Sequence, residues 1–162
     1  FHKTTDGGVT WSLETDIALP AAYAGSFLDV WQPVFVDTTS AYLPVRAVLS
    51  GDDLPLLIYR SYDSGESWVF RSAVVNGNAV DFVGVDEGFA AADSGFFHTT
   101  DGGLNWSALS TSGITAGSFF LKVDFVDSLH GWALTTPDDY TWEPLEFYRT
   151  EDGGATWVQL LP

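Results

Sequence analysis

Thr4-Thr5-Asp6-Gly7-Gly8-Val9-Thr10-Trp11 opens a pattern that returns three more times along the chain. The later copies are Ser61-Tyr62-Asp63-Ser64-Gly65-Glu66-Ser67-Trp68, Thr99-Thr100-Asp101-Gly102-Gly103-Leu104-Asn105-Trp106 and Thr150-Glu151-Asp152-Gly153-Gly154-Ala155-Thr156-Trp157. All share the form Ser/Thr-x-Asp-x-Gly-x-Thr/Ser/Asn-Trp. This is the chemistry of a tight turn. An Asp carboxylate accepts bonds from backbone N–H groups of the turn, a Gly takes the positive φ, and the Trp re-enters the core. The anchors are Asp6, Gly8 and Trp11, then Asp63, Gly65 and Trp68, then Asp101, Gly103 and Trp106, and finally Asp152, Gly154 and Trp157. A turn repeated at intervals of tens of residues announces a repeat architecture.

Working outward, a second signal precedes the last three turns. Phe35 and Tyr42, Phe82 and Phe89, and Phe125 and Trp132 are each seven residues apart. A constant interval of this kind predicts two short strands, a and b, joined by a tight turn. Strand c then leads into the Asp turn, as in Ile58-Tyr59-Arg60-Ser61 and Phe147-Tyr148-Arg149-Thr150, and strand d carries the Trp. No segment keeps a 3.6-residue apolar period, which excludes helical repeats. Four strands in roughly 40–50 residues make one propeller blade. The expected fold is therefore all-β, a partial β-propeller of about three and a half four-stranded antiparallel blades. Residues 1–162 form a single region, with a half blade at 1–14 and blades at about 30–72, 79–109 and 119–162. Because propellers close with about 4–8 blades, the chain is expected to be part of something longer, or to cover its open edges by self-association.

Apolar residues make up 46% of the chain, enough to build a core despite the charge. Twenty-two acidic residues against six basic ones give a formal charge of −16, which disfavours nucleic acid and anionic lipid as partners. No apolar run reaches the ~18 residues of a membrane span, so no membrane insertion is expected. With no Cys there is neither a disulfide nor a thiolate metal site.

With these residues in view, the four turns resemble the Asp-box, or BNR repeat. The stretch Val123 to Ala133 is similar to the blade opening of the photosystem II assembly/stability factor-like group. More distantly, the chain resembles sialidase-like, xyloglucanase-like and sortilin-like propellers. The resemblance covers nearly the whole chain and implies a propeller in which the boxes are structural and lie away from the ligand face. Asn105 departs from the usual Thr or Ser of the box, at little expected cost because Asn is also a good turn former. Sialidases would need three convergent arginines, whereas this chain has Arg46, Arg60, Arg71 and Arg149, two of them at the repeated position before a box. No catalytic residue is assigned. His2 and His98 also precede boxes, His130 falls in an a–b turn, and no Gly-x-Ser-x-Gly nucleophile motif accompanies them.

In such a blade the c–d and a–b turns share one face, and the b–c and d–a connections share the other. Two b–c connections are enlarged. The interval from strand-b aromatic to turn Asp is 12 residues from Phe89 to Asp101, but 21 from Tyr42 to Asp63 and 20 from Trp132 to Asp152. The extra residues, Arg46 to Leu57 and Thr135 to Glu146, nominate Asp52, Asp53, Asp138, Asp139, Tyr140, Trp142 and Glu143 as ligand-binding candidates. Carboxylates interleaved with Tyr and Trp suit a glycan or a basic peptide. No Asp-x-Asp-x-Asp-Gly loop supports a calcium site, so no metal and no cofactor is expected. The expected function is a non-catalytic binding or assembly module for a protein or glycan, extracellular or at the cell surface. The alternatives are a fragment of a glycoside hydrolase, sialidase-like or xyloglucanase-like, and a structural surface or fibre component joined through blade edges.

Overall fold

The computed structural model of the chain describes residues 2–13, 17–48, 54–115, 117–137 and 144–161. They form fifteen strands and one turn of 3-10 helix at Ala21–Tyr23. Strands β1 (His2–Lys3) and β2 (Ser12–Leu13) make a two-stranded ribbon. Strands β3 (Phe27–Val30), β4 (Val34–Phe35), β5 (Ala41–Val48), β6 (Leu56–Ser61) and β7 (Val69–Val74) form a five-stranded sheet, with β3 and β4 both on the same edge of β5. Strands β8 (Gly77–Phe82), β9 (Gly88–Ala92), β10 (Gly95–Thr99) and β11 (Ser107–Leu109) follow as a four-stranded meander. So do β12 (Phe119–Phe125), β13 (Gly131–Thr136), β14 (Glu146–Thr150) and β15 (Val158–Leu161). Every strand pairing within these sheets is antiparallel.

The sheets stack face to face, and β9 shows why. All five of its residues are buried, because successive side chains enter different cores. Phe89 and Ala91 join Phe96, Val123, Phe125, Tyr148 and Trp157 on one side. Ala90 and Ala92 join Phe82, Tyr42, Leu56 and Ile58 on the other. Strands β5 and β6 repeat the device, sending Leu43, Val45, Leu57 and Tyr59 to a third cluster.

The seven-residue aromatic interval serves this stacking. Phe89 lies opposite Asp81, one position from Phe82, so Phe82 and Phe89 point out of opposite faces of their sheet. Each then stacks on a neighbouring sheet. Tyr42 lies 3.5 Å from Phe82 at an interplanar angle of 3°, and Phe89 lies 3.9 Å from Phe125 at 11°. The strand-b aromatic of one sheet thus covers the inner-strand Phe of the next, as adjacent propeller blades do. The residue opposite the Phe is Gly88 or Gly131, over which the ring lies so closely that a Cβ would come within 2.5 Å and 2.6 Å of it. In the first unit that partner is Ala41, and Phe35 stands 57% exposed.

Two sequence expectations need correction. The stretch Arg46 to Leu57 is not all loop: Arg46–Val48 extends β5 and Leu56–Leu57 begins β6. Their alternate apolar residues bury against the third cluster, and β3 pairs alongside. Nor does each Trp re-enter the core. Trp157 is buried at 3% exposure, while Trp11 is 61% exposed on a ribbon that the Lys3–Glu66 ion pair ties to the next sheet's turn.

Candidate functional site

At one end of the sheets lie the four Asp turns, held together by bonds among their own residues. Asp152 accepts from the Thr156 N–H at 2.8 Å, the Thr156 hydroxyl at 2.6 Å and the Thr150 hydroxyl at 2.9 Å. Thr150 in turn accepts from the Gly154 N–H at 2.9 Å, and the Trp157 indole donates to the Gly154 carbonyl at 2.9 Å. Asp6 and Asp63 repeat the carboxylate bonds with Thr10 and Thr4, and with Ser67 and Ser61. Asn105 replaces the missing hydroxyl, its amide donating to Asp101 at 2.7 Å. Gly154 sits at φ +88°, a conformation that side-chain-bearing residues adopt only with strain.

These bonds favour the charged carboxylates. They hold Asp6, Asp63 and Asp101 at a pKa of about 2 and lower Asp152 as well, chiefly through the side-chain donors at Thr10, Ser67, Asn105 and Thr156. Backbone bonds tie each of the last three turns to the a–b turn of its own sheet: Ser64 N–H to Thr39, Gly102 N–H to Asp86 and Gly153 N–H to Leu129, at 2.8–2.9 Å. The carboxylate lone pairs of this face are therefore engaged within the fold.

The opposite end is different. Where β8 and β12 begin, a cavity of about 670 Å³ opens among Arg46, Asn76, Asn78, Asp93, Thr115 and Ser118, floored by Phe96 and Phe120. The Asn78 amide donates to Asp93 at 2.8 Å, and the Asn76 carbonyl oxygen accepts from the Leu54 N–H at 3.0 Å. Arg46 donates to the Gly77 carbonyl at 3.1 Å and lies 5.0 Å over the Trp31 ring. Burial lowers its pKa, against the pull of Asp29 and Asp93. Behind the far wall, Glu146 accepts from Tyr148 at 3.0 Å, Thr115 at 3.3 Å, and Ser118 and Thr135 at 3.4 Å.

Two further hollows lie elsewhere on the sheets. One of about 420 Å³ runs along the inner strands past Trp31, Asp81 and Lys122. Asp81 bridges two sheets there, accepting from the Phe125 N–H at 2.7 Å and the Phe82 N–H at 2.9 Å. Burial pushes its pKa up, against the pull of those bonds. The other hollow, of about 360 Å³, lies on the outer face of the last sheet between Trp132, Leu134 and Phe147.

The sequence candidates Asp52, Asp53, Asp138, Asp139, Tyr140, Trp142 and Glu143 lie outside the described residues. Leu54, which follows Asp53, and Pro137, which precedes Asp138, line the cleft, whereas Pro144, which follows Glu143, does not. The arginines do not form a triad. Arg60 and Arg71 share Tyr62, Arg149 pairs with Glu151, and Arg46 is in the cleft. Sequence reasoning misses Asn76, Asn78 and Asp93. The available signal was Asn76-Gly77, a turn dipeptide linking β7 to β8, with Asn76 at φ +48°.

No family model matches the chain, and no curated protein matches it significantly. Solved structures do. One is YCF48 bound to D1 peptide, with a TM-score of 0.61 and 21% identity over 85% of this chain and 41% of that one. Another is the GH74 xyloglucanase from Xanthomonas campestris, with a TM-score of 0.53 and 16% identity over 78% of this chain and 22% of that one. The chain thus spans about two fifths of the first and about a fifth of the second. Likeness at this level of identity speaks to fold, and with the stacked four-stranded sheets it makes the chain a partial β-propeller.

Proposed function

We propose that this chain is part of a protein-binding propeller, that its four turns are Asp-boxes, and that it holds its partner in the cleft at the face opposite them, without catalysing a reaction. One observation carries the reading. The turn face has its carboxylates engaged internally, while the opposite face has a cavity lined by one cation, one anion, two amides and several hydroxyls. Such a mixture of donors and acceptors in a concave site of a few hundred Å³ suits recognition. YCF48, which has a similar fold, is seen with a peptide bound, and that supports a protein ligand over a glycan.

The test is a binding titration of the 162-residue chain against a peptide array and against xyloglucan oligosaccharides. The expected result is saturable peptide binding that Asn78→Ala abolishes and that Asn105→Ala, on the turn face, leaves intact. Oligosaccharide binding or hydrolysis in place of peptide binding would overturn the proposal.

A further inference from the structure

We infer that the segment held in the cleft is a basic, extended polypeptide whose cationic side chain meets Asp93. The inference rests on the protein-binding reading above and names the class of partner. Asp93 is exposed, and the amide of Asn78 is its hydrogen-bond donor. Glu146, behind Thr115 and Ser118, accepts from hydroxyls. Among the described residues neither carboxylate has a cation within ion-pair distance. The cation of the lining, Arg46, is tied back to the Gly77 carbonyl and the Trp31 ring, with Asp29 and Asp93 close enough to act on its charge. The lining itself carries one charge of each sign, but with Asp29 beside Arg46 and Glu146 behind the wall three carboxylates surround one cation. The chain's charge of −16 adds a long-range field that steers cations in and repels anions.

One feature favours polypeptide over sugar. Among the described residues the side-chain amides of the cleft have one group each to spare. Asn76 keeps its N–H groups once its oxygen has bonded Leu54, and Asn78 keeps its oxygen once its N–H has bonded Asp93. A donor and an acceptor two residues apart match the interval at which an extended chain repeats its outward groups.

The experiment is fluorescence anisotropy with three labelled dodecapeptides on one Gly-Ser background, carrying Lys, Gln or Glu at the same positions. The lysine peptide is expected to bind at least about tenfold more tightly than the glutamine peptide, and the glutamate peptide not to bind. Asp93→Asn is expected to weaken lysine-peptide binding about three- to tenfold and leave glutamine-peptide binding unchanged. Glu151→Gln, an equal loss of charge on the turn face, should leave lysine-peptide binding within about twofold. A glutamine or glutamate peptide bound as tightly as the lysine peptide overturns the inference and leaves the protein-binding reading standing. Equal losses from Asp93→Asn and Glu151→Gln overturn it too, since net charge alone would then explain the binding. Failure of all three peptides to bind overturns both.

Discussion

Replacing Gly88 by Ala tests the stacking of the sheets at its tightest point. A Cβ there would come within 2.5 Å of Phe82 Cδ1, 2.8 Å of Cε1 and 2.9 Å of the Asp81 carbonyl oxygen. The ring has no easy retreat, because Phe82 is 4% exposed, stacked 3.5 Å from Tyr42 and edge-on to Trp106 at 6.0 Å. Overpacking of this kind costs about 1–3 kcal/mol. Loss of the Tyr42–Phe82 stack adds about 0.5–1.5 kcal/mol if the ring is expelled. For a chain of this size each kcal/mol moves Tm by about 2–4 °C, so a fall of about 2–18 °C is expected in calorimetry. Gly84→Ala is the control, since a Cβ on Gly84 would meet nothing within 4 Å and its φ is not in the left-handed region. The first unit shows the alternative outcome, with Ala41 opposite a Phe35 that stands outside the core. Equal Tm values for Gly88→Ala and the control would refute the claim that Phe82 is clamped between sheets.

Further outcomes follow from the carboxylates. Asn105→Ala should raise the Asp101 pKa from about 2 toward the ordinary carboxylate value, and Asn105→Thr should leave it low, as followed by NMR titration. The turn aspartates are depressed in the folded state, so their stabilisation is present above the unfolded pKa near ~4 and is lost as pH falls toward about 2. An acid-unfolding curve with no loss over that range would contradict this. Asp81 has the opposite sign: its raised pKa gives stabilisation that is present below ~4 and lost as pH rises through the folded value. Asp81→Asn leaves one of two backbone N–H groups without its acceptor and should destabilise by about 1–3 kcal/mol, the gap to wild type narrowing as pH rises above ~4 in urea melts.

The Asp turns were legible because their chemistry is local. Thr150, Asp152, Gly154 and Thr156 bond one another along one short segment, so a brief string of letters carries the whole geometry. The Phe-to-aromatic interval was legible for the same reason, although its role in stacking neighbouring sheets needed three dimensions. The cleft was not legible. Its walls come from Arg46, Asn78, Asp93 and Thr115, which no local pattern connects. Sequence reasoning favours the enlarged connections with their acidic and aromatic segments at 52–53 and 138–143, which lie outside the described residues, and passes over the short β7–β8 connection that supplies Asn76 and leads to Asn78. Trp11 misleads because the turn motif fixes the local bend, but burial of its Trp depends on a sheet packing over it.

The central claim is that this chain meets its partner at the face opposite the Asp turns. The most direct test is amide chemical-shift mapping of the isotope-labelled 162-residue chain during titration with the lysine dodecapeptide. The account predicts shifts centred on Asn76–Asn78, Asp93, Thr115 and Ser118, with the turns at Asp63, Asp101 and Asp152 silent. Shifts centred on those turns, or on Trp132 and Phe147 at the outer face of the last sheet, would contradict it.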